Sequence, residues 1–460
     1  VRLAVALALA SAPAIPTTPA HAGQATCSNP GLPAGAVGSS DLIPWRLNIG
    51  LTAGMLPIAS EQLLDEPTGQ VRYDARVVIV ENRLTAELAV TPWLALGMSL
   101  PYRIVSTDVT YRDPATGEEI MPQSATIHAR DETVHGIGDP AISGHVAREV
   151  GAWRLHVRAG ATLPLGKTEP DPFALGDIGQ EHQHVQFGSG TIVPFVAVEA
   201  QHPIGPVGAT AWAVTYQSLY ENGEGYRAGD RYSAGVSGSI AVGARKQWTI
   251  NAGVEAHGET AETWQGVVHE DEGNAGRIDA MIGGGAAWRP RPDLAIVADL
   301  KLPLYSEVVG TQLDYPIVAS IGITGSFDLK RAPSYRGADM GVVGPAGSDT
   351  PLVPVAGRIT VFDLWASWCA PCRDLDDRLA ALARAHPDRI AIRKLDVVDG
   401  DSAAWARYIE PGGFALPHVK VYDASGKLAF ERSAPPAELV RAIEALMGTG
   451  TTSSLPGVPK

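Results

Sequence analysis

From Trp45 to about Leu329 the chain alternates apolar and polar positions. Trp153, Leu155, Val157, Ala159, Ala161, Leu163 and Leu165 would share one face, and Arg154, His156, Arg158, Gly160 and Thr162 the other. A period of two with one apolar and one polar face predicts a β-strand. The same pattern runs over Leu47 to Met55, Leu84 to Val90, Leu94 to Ile104, Tyr232 to Val242, Trp248 to Ala256, Ile278 to Trp288, Leu294 to Leu304 and Ile317 to Phe327. It is weaker over Ile137 to Ala147, Ile192 to Gln201 and Gly208 to Tyr220. Twelve strands, or six hairpins, are expected. Their connections alternate in length: short ones at 91–92, 149–152, 202–206, 245–247 and 290–293, long polar ones at 57–72, 107–136, 166–189, 221–230, 259–276 and 306–314. Trp45, Trp93, Trp153, Trp248 and Trp288 fall on the short-turn side, and Tyr73, Tyr102, Tyr220, Tyr226, Tyr305 and Tyr315 toward the long loops. Short turns at one end, long loops at the other and an aromatic girdle at each are the marks of a transmembrane barrel. A soluble sandwich or a closed soluble barrel also alternates, but requires neither the girdles nor the alternation of loop length. An antiparallel transmembrane β-barrel is therefore expected over residues 45–329.

Residues 330–356 lose all periodicity and are rich in Gly, Pro and Ala, which predicts a linker. As a flexible chain it would span about 30 Å root-mean-square. From Gly357 the period changes. A buried strand over Ile359 to Trp365 precedes an amphipathic helix over Leu375 to Ala385, a strand over Ile390 to Val397 and a helix over Ser402 to Ile409. Val419 to Asp423 and Leu428 to Arg432 form a hairpin, and Pro436 to Met447 a last helix. An α/β domain over 357–447 is expected, followed by a disordered tail over 448–460.

Composition narrows this picture. A chain of 460 residues is too long for one ordinary domain. A formal net charge of −14 argues against nucleic-acid binding. Three cysteines are too few for a disulfide scaffold. Arg2, the apolar run Leu3 to Ala12 and Ala20-His-Ala22 read as a secretory signal over 1–22, which leaves an N-terminal arm over 23–44. Cys27 follows Gln24-Ala-Thr26, a poor lipobox. No later segment has 18 uninterrupted apolar residues, yet an exported chain can still cross a membrane as a closed barrel.

The candidate chemistry lies in Asp363-Leu-Trp-Ala-Ser-Trp-Cys-Ala-Pro-Cys-Arg373. A cysteine at a helix N-terminus meets unpaired N–H groups and the positive end of the helix dipole, and both favour thiolate. Zinc is the rival reading of Cys369 and Cys372, but no two further ligands stand at the required spacing in this domain, and His418 supplies one at most.

Residues 357–447 resemble thioredoxin. Trp368-Cys-Ala-Pro-Cys372 corresponds to its active-site motif, with Ala-Pro in place of Gly-Pro. Asp363 matches the buried acid, Trp365 the packing tryptophan, Lys394 the lysine beside that acid, and Leu416-Pro417 the cis-proline facing the cysteines. His418 stands where the family often has threonine. The resemblance implies a redox disulfide between Cys369 and Cys372, a catalytic set of Cys369, Cys372, Asp363, Lys394 and Pro417, and substrate contacts at Trp368, Leu416 and His418. It implies no cofactor and no metal. Protein disulfides are the implied substrates, with a membrane thiol reductase as electron donor. The Ala-Pro dipeptide is similar to that of exported reductive thioredoxins.

Within 45–329, Gly136-Ile-Gly-Asp-Pro140, Leu163-Pro-Leu-Gly166 and Gln186-Phe-Gly-Ser-Gly-Thr191 resemble segments of the transporter-like outer-membrane barrels of the phenol-degradation meta-pathway family. Arg46, Asn48, Glu87, Arg154, His156, Arg158, Glu199, Asn251, Glu255, Asp279, Asp299 and Lys301 are expected on the polar inner face, lining a path or closing it with salt bridges. Glu181-His-Gln-His184 is expected to be a solvated polar loop rather than a metal site.

An even strand number places both barrel ends on the short-turn side, which faces the periplasm in bacteria. The expected protein is a thiol–disulfide oxidoreductase, a reductase in direction, tethered to outer-membrane lipid by its own barrel with its dithiol in the periplasm. The alternatives are a transport or surface barrel with an accessory redox domain, and a soluble two-domain periplasmic protein.

Overall fold

The computed structural model describes residues 42–66, 69–121, 131–243, 247–269, 273–291, 293–309, 315, 317–329, 335, 337–367 and 369–448. The expected signal, Cys27 with most of the N-terminal arm, Trp368 and nearly all of the tail lie outside them. The strands before the α/β domain are β1 (Arg46–Glu66), β2 (Gly69–Thr91), β3 (Leu94–Arg112), β4 (Glu132–Ile137), β5 (Ala141–Val150), β6 (Trp153–Thr162), β7 (Val193–Ile204), β8 (Val207–Tyr216), β9 (Tyr226–Arg227), β10 (Arg231–Val242), β11 (Trp248–Thr260), β12 (Thr263–Trp264), β13 (Gly276–Arg291), β14 (Leu294–Val308) and β15 (Val318–Asp328).

Each barrel strand pairs with its sequence neighbour, and β1 pairs with β15 from Arg46↔Asp328 to Met55↔Ala319, so the sheet closes on itself. β4 and β5 both pair with β3 and are two halves of one stave, interrupted at Gly138-Asp139-Pro140. β9 and β12 pair only with each other. The result is the closed antiparallel barrel of twelve staves. Its short turns need left-handed glycines, as at Gly151 (φ 61°) and Gly205 (φ 59°).

The two faces separate as the alternation requires, but apolar side chains point outward. Leu51 is 50% exposed, Leu96 56%, Ile142 53%, Val236 55% and Ile321 60%. The five strand-end tryptophans are all exposed, from 38% to 48%. The tyrosine belt is thinner than expected: Tyr102, Tyr220 and Tyr305 are exposed, whereas Tyr73, Tyr226 and Tyr315 are buried. Tyr73 packs on Tyr111, Tyr226 on Trp264, and Tyr315 under the Arg277 guanidinium.

Inside, the end near the short turns is polar. Arg158 donates to Glu87 at 2.6 Å, Lys301 pairs with Glu255 at 2.6 Å, and His145 contacts both Glu87 and His156. Toward the long loops an apolar cluster lies inside, where Leu56, Ile58, Val77, Ile79, Val105, Met281 and Val318 meet Val185 and Phe187 of the 163–192 connection, with the buried Arg277–Asp279 ion pair at the same end. The three segments quoted above from the barrel meet here. Asp139 accepts from Gly166 N (2.9 Å), Ser189 N (2.6 Å) and Ser189 Oγ (2.7 Å). A Cβ on Gly188 would lie 2.7 Å from the Gly166 Cα, so the two glycines are needed for this crossing.

Two expectations are corrected. The stretch 57–72 is not a long loop, because β1 and β2 continue through it in unbroken register from Met55↔Val80 to Glu66↔Gly69. Alternation in Val71-Arg-Tyr-Asp-Ala-Arg-Val77 supports that pairing. The histidines of 181–184 are not solvated: His182 and His184 are 5% and 7% exposed, and His184 packs edge-on against Phe173. Among the described residues no group of three or more His, Cys, Asp or Glu is arranged to hold a metal.

The α/β domain has strands β16 (Met340–Val342), β17 (Ile359–Trp365), β18 (Ile390–Asp396), β19 (His418–Tyr422) and β20 (Leu428–Ser433), in sheet order β16-β18-β17-β19-β20. The helices Ala370–Ala385 and Pro436–Gly448 cover one face, where Val361, Leu375, Leu379, Ile392, Val421 and Ile443 form the core. The shorter helix Ala403–Tyr408 joins a second cluster around Leu364, Leu395 and both cysteines. Full burial of Leu379 contributes about 2 kcal/mol.

The expected linker is largely absorbed by this domain. Met340–Val342 pair in parallel with Ile392–Lys394, Val343 N donates to Lys394 O, and Tyr408 OH donates to Thr350 O. Three paired residues surrounded by Gly and Pro leave no periodic signal, so the sequence reads as a linker. No helix among the described residues is long and apolar enough to cross a membrane, which says nothing of strands.

Candidate active site

β17 delivers the site. Its residues are buried from Ile359 to Leu364, and the chain turns at Ala366–Ser367 into the helix Ala370–Ala385. Cys369 is the N-cap of that helix: its sulfur accepts from Cys372 N at 3.2 Å, and Pro371 occupies the first turn, where no N–H is missed. Cys369 and Cys372 are bonded as a disulfide, 3% and 1% exposed. Both belong to a buried cluster with Leu364, Ala366, Leu395 and Val397, against which Leu416 and Phe414 pack half-buried.

The bond between Leu416 and Pro417 is cis. Pro417 leads into β19, whose register sets His418 opposite Leu364 and Val419 opposite Asp363. His418 is the residue expected in substrate contact after the cis bond. Its side chain is fully buried, stacked on Phe414 at 4.1 Å, with Ser433 Oγ at 3.1 Å and Glu431 at 3.3 Å. Burial pushes its pKa down, against the opposing pull of Glu431.

Asp363 and Lys394 are cross-strand partners in the parallel β17–β18 pair and therefore share a face of the sheet. Asp363 is fully buried, and neither carboxylate oxygen has a hydrogen-bond partner among the described residues. Burial raises its pKa to about 7, opposed by Lys394 and assisted by Asp376. A carboxyl that titrates near neutrality can hold or release a proton under working conditions.

The lysine is occupied elsewhere. Lys394 Nζ lies 2.6 Å from Asp376 Oδ1 and donates to Tyr335 OH at 3.2 Å, with the Trp365 ring 4.6 Å below it. Tyr335 OH in turn donates to Asp376 Oδ2 at 2.7 Å. Sequence reasoning missed Asp376 and Tyr335. Asp376 stands four residues after Cys372, on the same helix face, a spacing that was readable. Tyr335 lies in the stretch that reads as linker and carried no such signal.

Arg373, next to Cys372, reaches out of the domain. It pairs with Asp328, the last residue of β15, through contacts of 2.7 and 2.8 Å, and donates to Ser367 O. Asp328 also accepts from Arg46 at 2.9 Å, so the barrel's closing strand pair and the active-site helix share one carboxylate.

The family model for thioredoxin matches residues 353–444. Thioredoxin of Geodia cydonium is 34% identical over 82 residues, covering 18% of this chain and 72% of that protein. Thioredoxin AMT13 of Alternaria alternata is 29% identical over 103 residues, covering 22% of this chain and 83% of that protein. Among solved structures, an outer membrane channel from Pseudomonas putida F1 aligns with 64% of this chain and 100% of its own at 14% identity and a TM-score of 0.43. A Fasciola hepatica thioredoxin aligns with 20% of this chain and 82% of its own at 27% identity and a TM-score of 0.17. The chain thus joins a twelve-strand barrel to a thiol–disulfide oxidoreductase domain, and through that domain it belongs to the thioredoxin family.

Proposed function

We propose that the protein is a thiol–disulfide reductase held at the periplasmic face of an outer membrane by its own barrel. The observation that carries this reading is the Cys369–Cys372 pair at a helix N-terminus, in a domain ion-paired to the barrel's closing strands. Outward apolar side chains ringed by exposed tryptophans support burial of the barrel in lipid. Both barrel termini lie at the short-turn end, the periplasmic end in bacterial barrels of this kind. Ion pairs and an apolar cluster fill much of the interior and favour an anchoring role over a transport one.

In the reduced form the Cys369 thiolate attacks one sulfur of a substrate disulfide. That S–S bond breaks, the departing sulfur takes a proton, and a mixed disulfide forms on Cys369. Cys372 gives its proton to Asp363 and attacks the Cys369 sulfur. The intramolecular disulfide forms and the second substrate sulfur leaves as a thiolate, so two electrons pass from the dithiol to the substrate. Lys394 sets the electrostatics of Asp363. The cis bond before Pro417 and the half-buried Leu416 present a backbone edge beside the disulfide. A protein dithiol, such as that of a membrane thiol reductase, would return the pair to the reduced state.

The full-length protein in detergent should reduce insulin disulfides in the presence of a small dithiol, and Cys369→Ser should abolish this. Retention of activity in Cys369→Ser rejects the enzymatic role. Loss of heat-dependent gel mobility together with solubility without detergent rejects the membrane barrel. Solute flux through reconstituted protein would favour transport instead. A Cys372→Ser variant expressed in cells should trap periplasmic substrates as mixed disulfides.

A further inference from the structure

We propose that Asp376, braced by Tyr335, is a positioning residue that holds the Lys394 ammonium on itself and off Asp363, leaving Asp363 as an uncommitted proton acceptor for Cys372. This rests on the dithiol mechanism above and assigns a regulator to that same site.

Lys394 and Asp363 face each other across β17 and β18, so the default partner of the ammonium is the Asp363 carboxylate. Yet Lys394 Nζ forms its ion pair with Asp376 Oδ1, at 2.6 Å and without hydrogen-bond geometry, while both Asp363 oxygens have neither an ion-pair nor a hydrogen-bond partner among the described residues. Asp376 is 7% exposed and stands one helical turn beyond Cys372. Tyr335 closes the arrangement by accepting from Lys394 and donating to the other Asp376 oxygen, which fixes that carboxylate's orientation. The charged and titratable groups acting on Asp363 are Lys394 from β18, Asp376 from the helix and, after reduction, Cys372, while Tyr335 acts through its contacts with Lys394 and Asp376. β19 presents only Val419 opposite it.

Two effects of Asp376 act in the same direction. It draws the Lys394 ammonium out of bonding reach of Asp363, from where Lys394 still favours the ionised carboxyl, though less than a direct contact would, and it adds a nearby negative charge that opposes ionisation. Both keep Asp363 protonated to higher pH and delay its use as a base. Removing the Asp376 charge therefore lowers the pH at which Asp363 can accept the Cys372 proton.

The test is the pH profile of insulin reduction by the full-length protein in detergent, from pH 5 to 9. Asp376→Asn should move the acidic limb down by roughly one pH unit, the scale of shift that a nearby charge produces. Asp376→Glu should restore the wild-type profile, and Tyr335→Phe should give a smaller shift in the same direction. In an Asp363→Asn background, Asp376→Asn should leave the limb where it is. Should Asp376→Asn not fold, Asp376→Ala removes the same charge and serves in its place. An unmoved limb overturns the proposal, and so does an equal shift with and without Asp363. Loss of all activity in Cys369→Ser beside an unmoved limb would retain the reductase reading and reject only this one.

Discussion

Among the described residues Asp363 has no counter-charge bonded to it and no donor, and it sits in the centre of a sheet. Its folded-state pKa is raised to about 7 from an ordinary value of 3.8. The folded state therefore binds this proton more tightly than the unfolded chain does. Its contribution to stability is fully present below pH 3.8 and is lost as pH rises through about 7. Asp363→Asn should unfold at higher temperature than wild type at pH 8, with the difference closing toward pH 4. Thermal unfolding of the α/β domain at both pH values checks this. The same variant should slow disulfide reduction by about 100-fold or more, as for loss of a general base. Asp363, Lys394 and the cysteines were legible through the resemblance to thioredoxin, carried by Asp363–Arg373 and by Arg-Lys-Leu-Asp on β18. Lys394's actual partner was not, since it depends on which of two carboxylates the helix turns toward it.

At the scale of elements, what the sequence shows depends on how many residues carry the repeat. β11 and β14, with 13 and 15 residues, declare themselves by alternation. β16, with three, cannot, and its place in the sheet follows from pairing with β18 alone. The glycine-rich segments of the barrel were legible as motifs, but their mutual contact was not, because Asp139 and Ser189 lie fifty residues apart. That contact orders the connection that brings Val185 and Phe187 into the barrel. Gly188→Val would drive a side chain into the Gly166 backbone, and Asp139→Ala would leave the Gly166 and Ser189 N–H groups without their acceptor, the Ser189 hydroxyl keeping Thr191 O. Each should expose residues 163–192 to limited proteolysis while the barrel keeps its heat-dependent gel mobility. In the α/β domain, Leu379→Ala should cost about 2–5 kcal/mol by opening a cavity under the active-site helix.

At the scale of the whole molecule, the sequence suggested a freely tethered domain, and the structure shortens the tether. Asp328 ends the barrel, and by Tyr335 the chain is already bonded into the redox network. So short a connection keeps the two parts at high effective concentration, and a weak contact can then dominate their arrangement. That contact is the bidentate pair of Arg373 with Asp328, whose side chains are 30% and 41% exposed. A pair this exposed contributes about 0–1 kcal/mol and is screened by salt. Docking should therefore be a balance and not a lock. With spin labels on the outer face of β16 and on a short turn of the barrel, the distance distribution should be narrow at low ionic strength and broad at high. Asp328→Ala should make it broad at both, and Asp328→Glu should restore the salt dependence. Arg46→Ala should leave the docked population in place, because Arg373 keeps both Asp328 oxygens. A distribution that stays narrow in Asp328→Ala would mean that the tether alone sets the orientation. The residue after the resolving cysteine would then have no part in holding the dithiol at the barrel mouth.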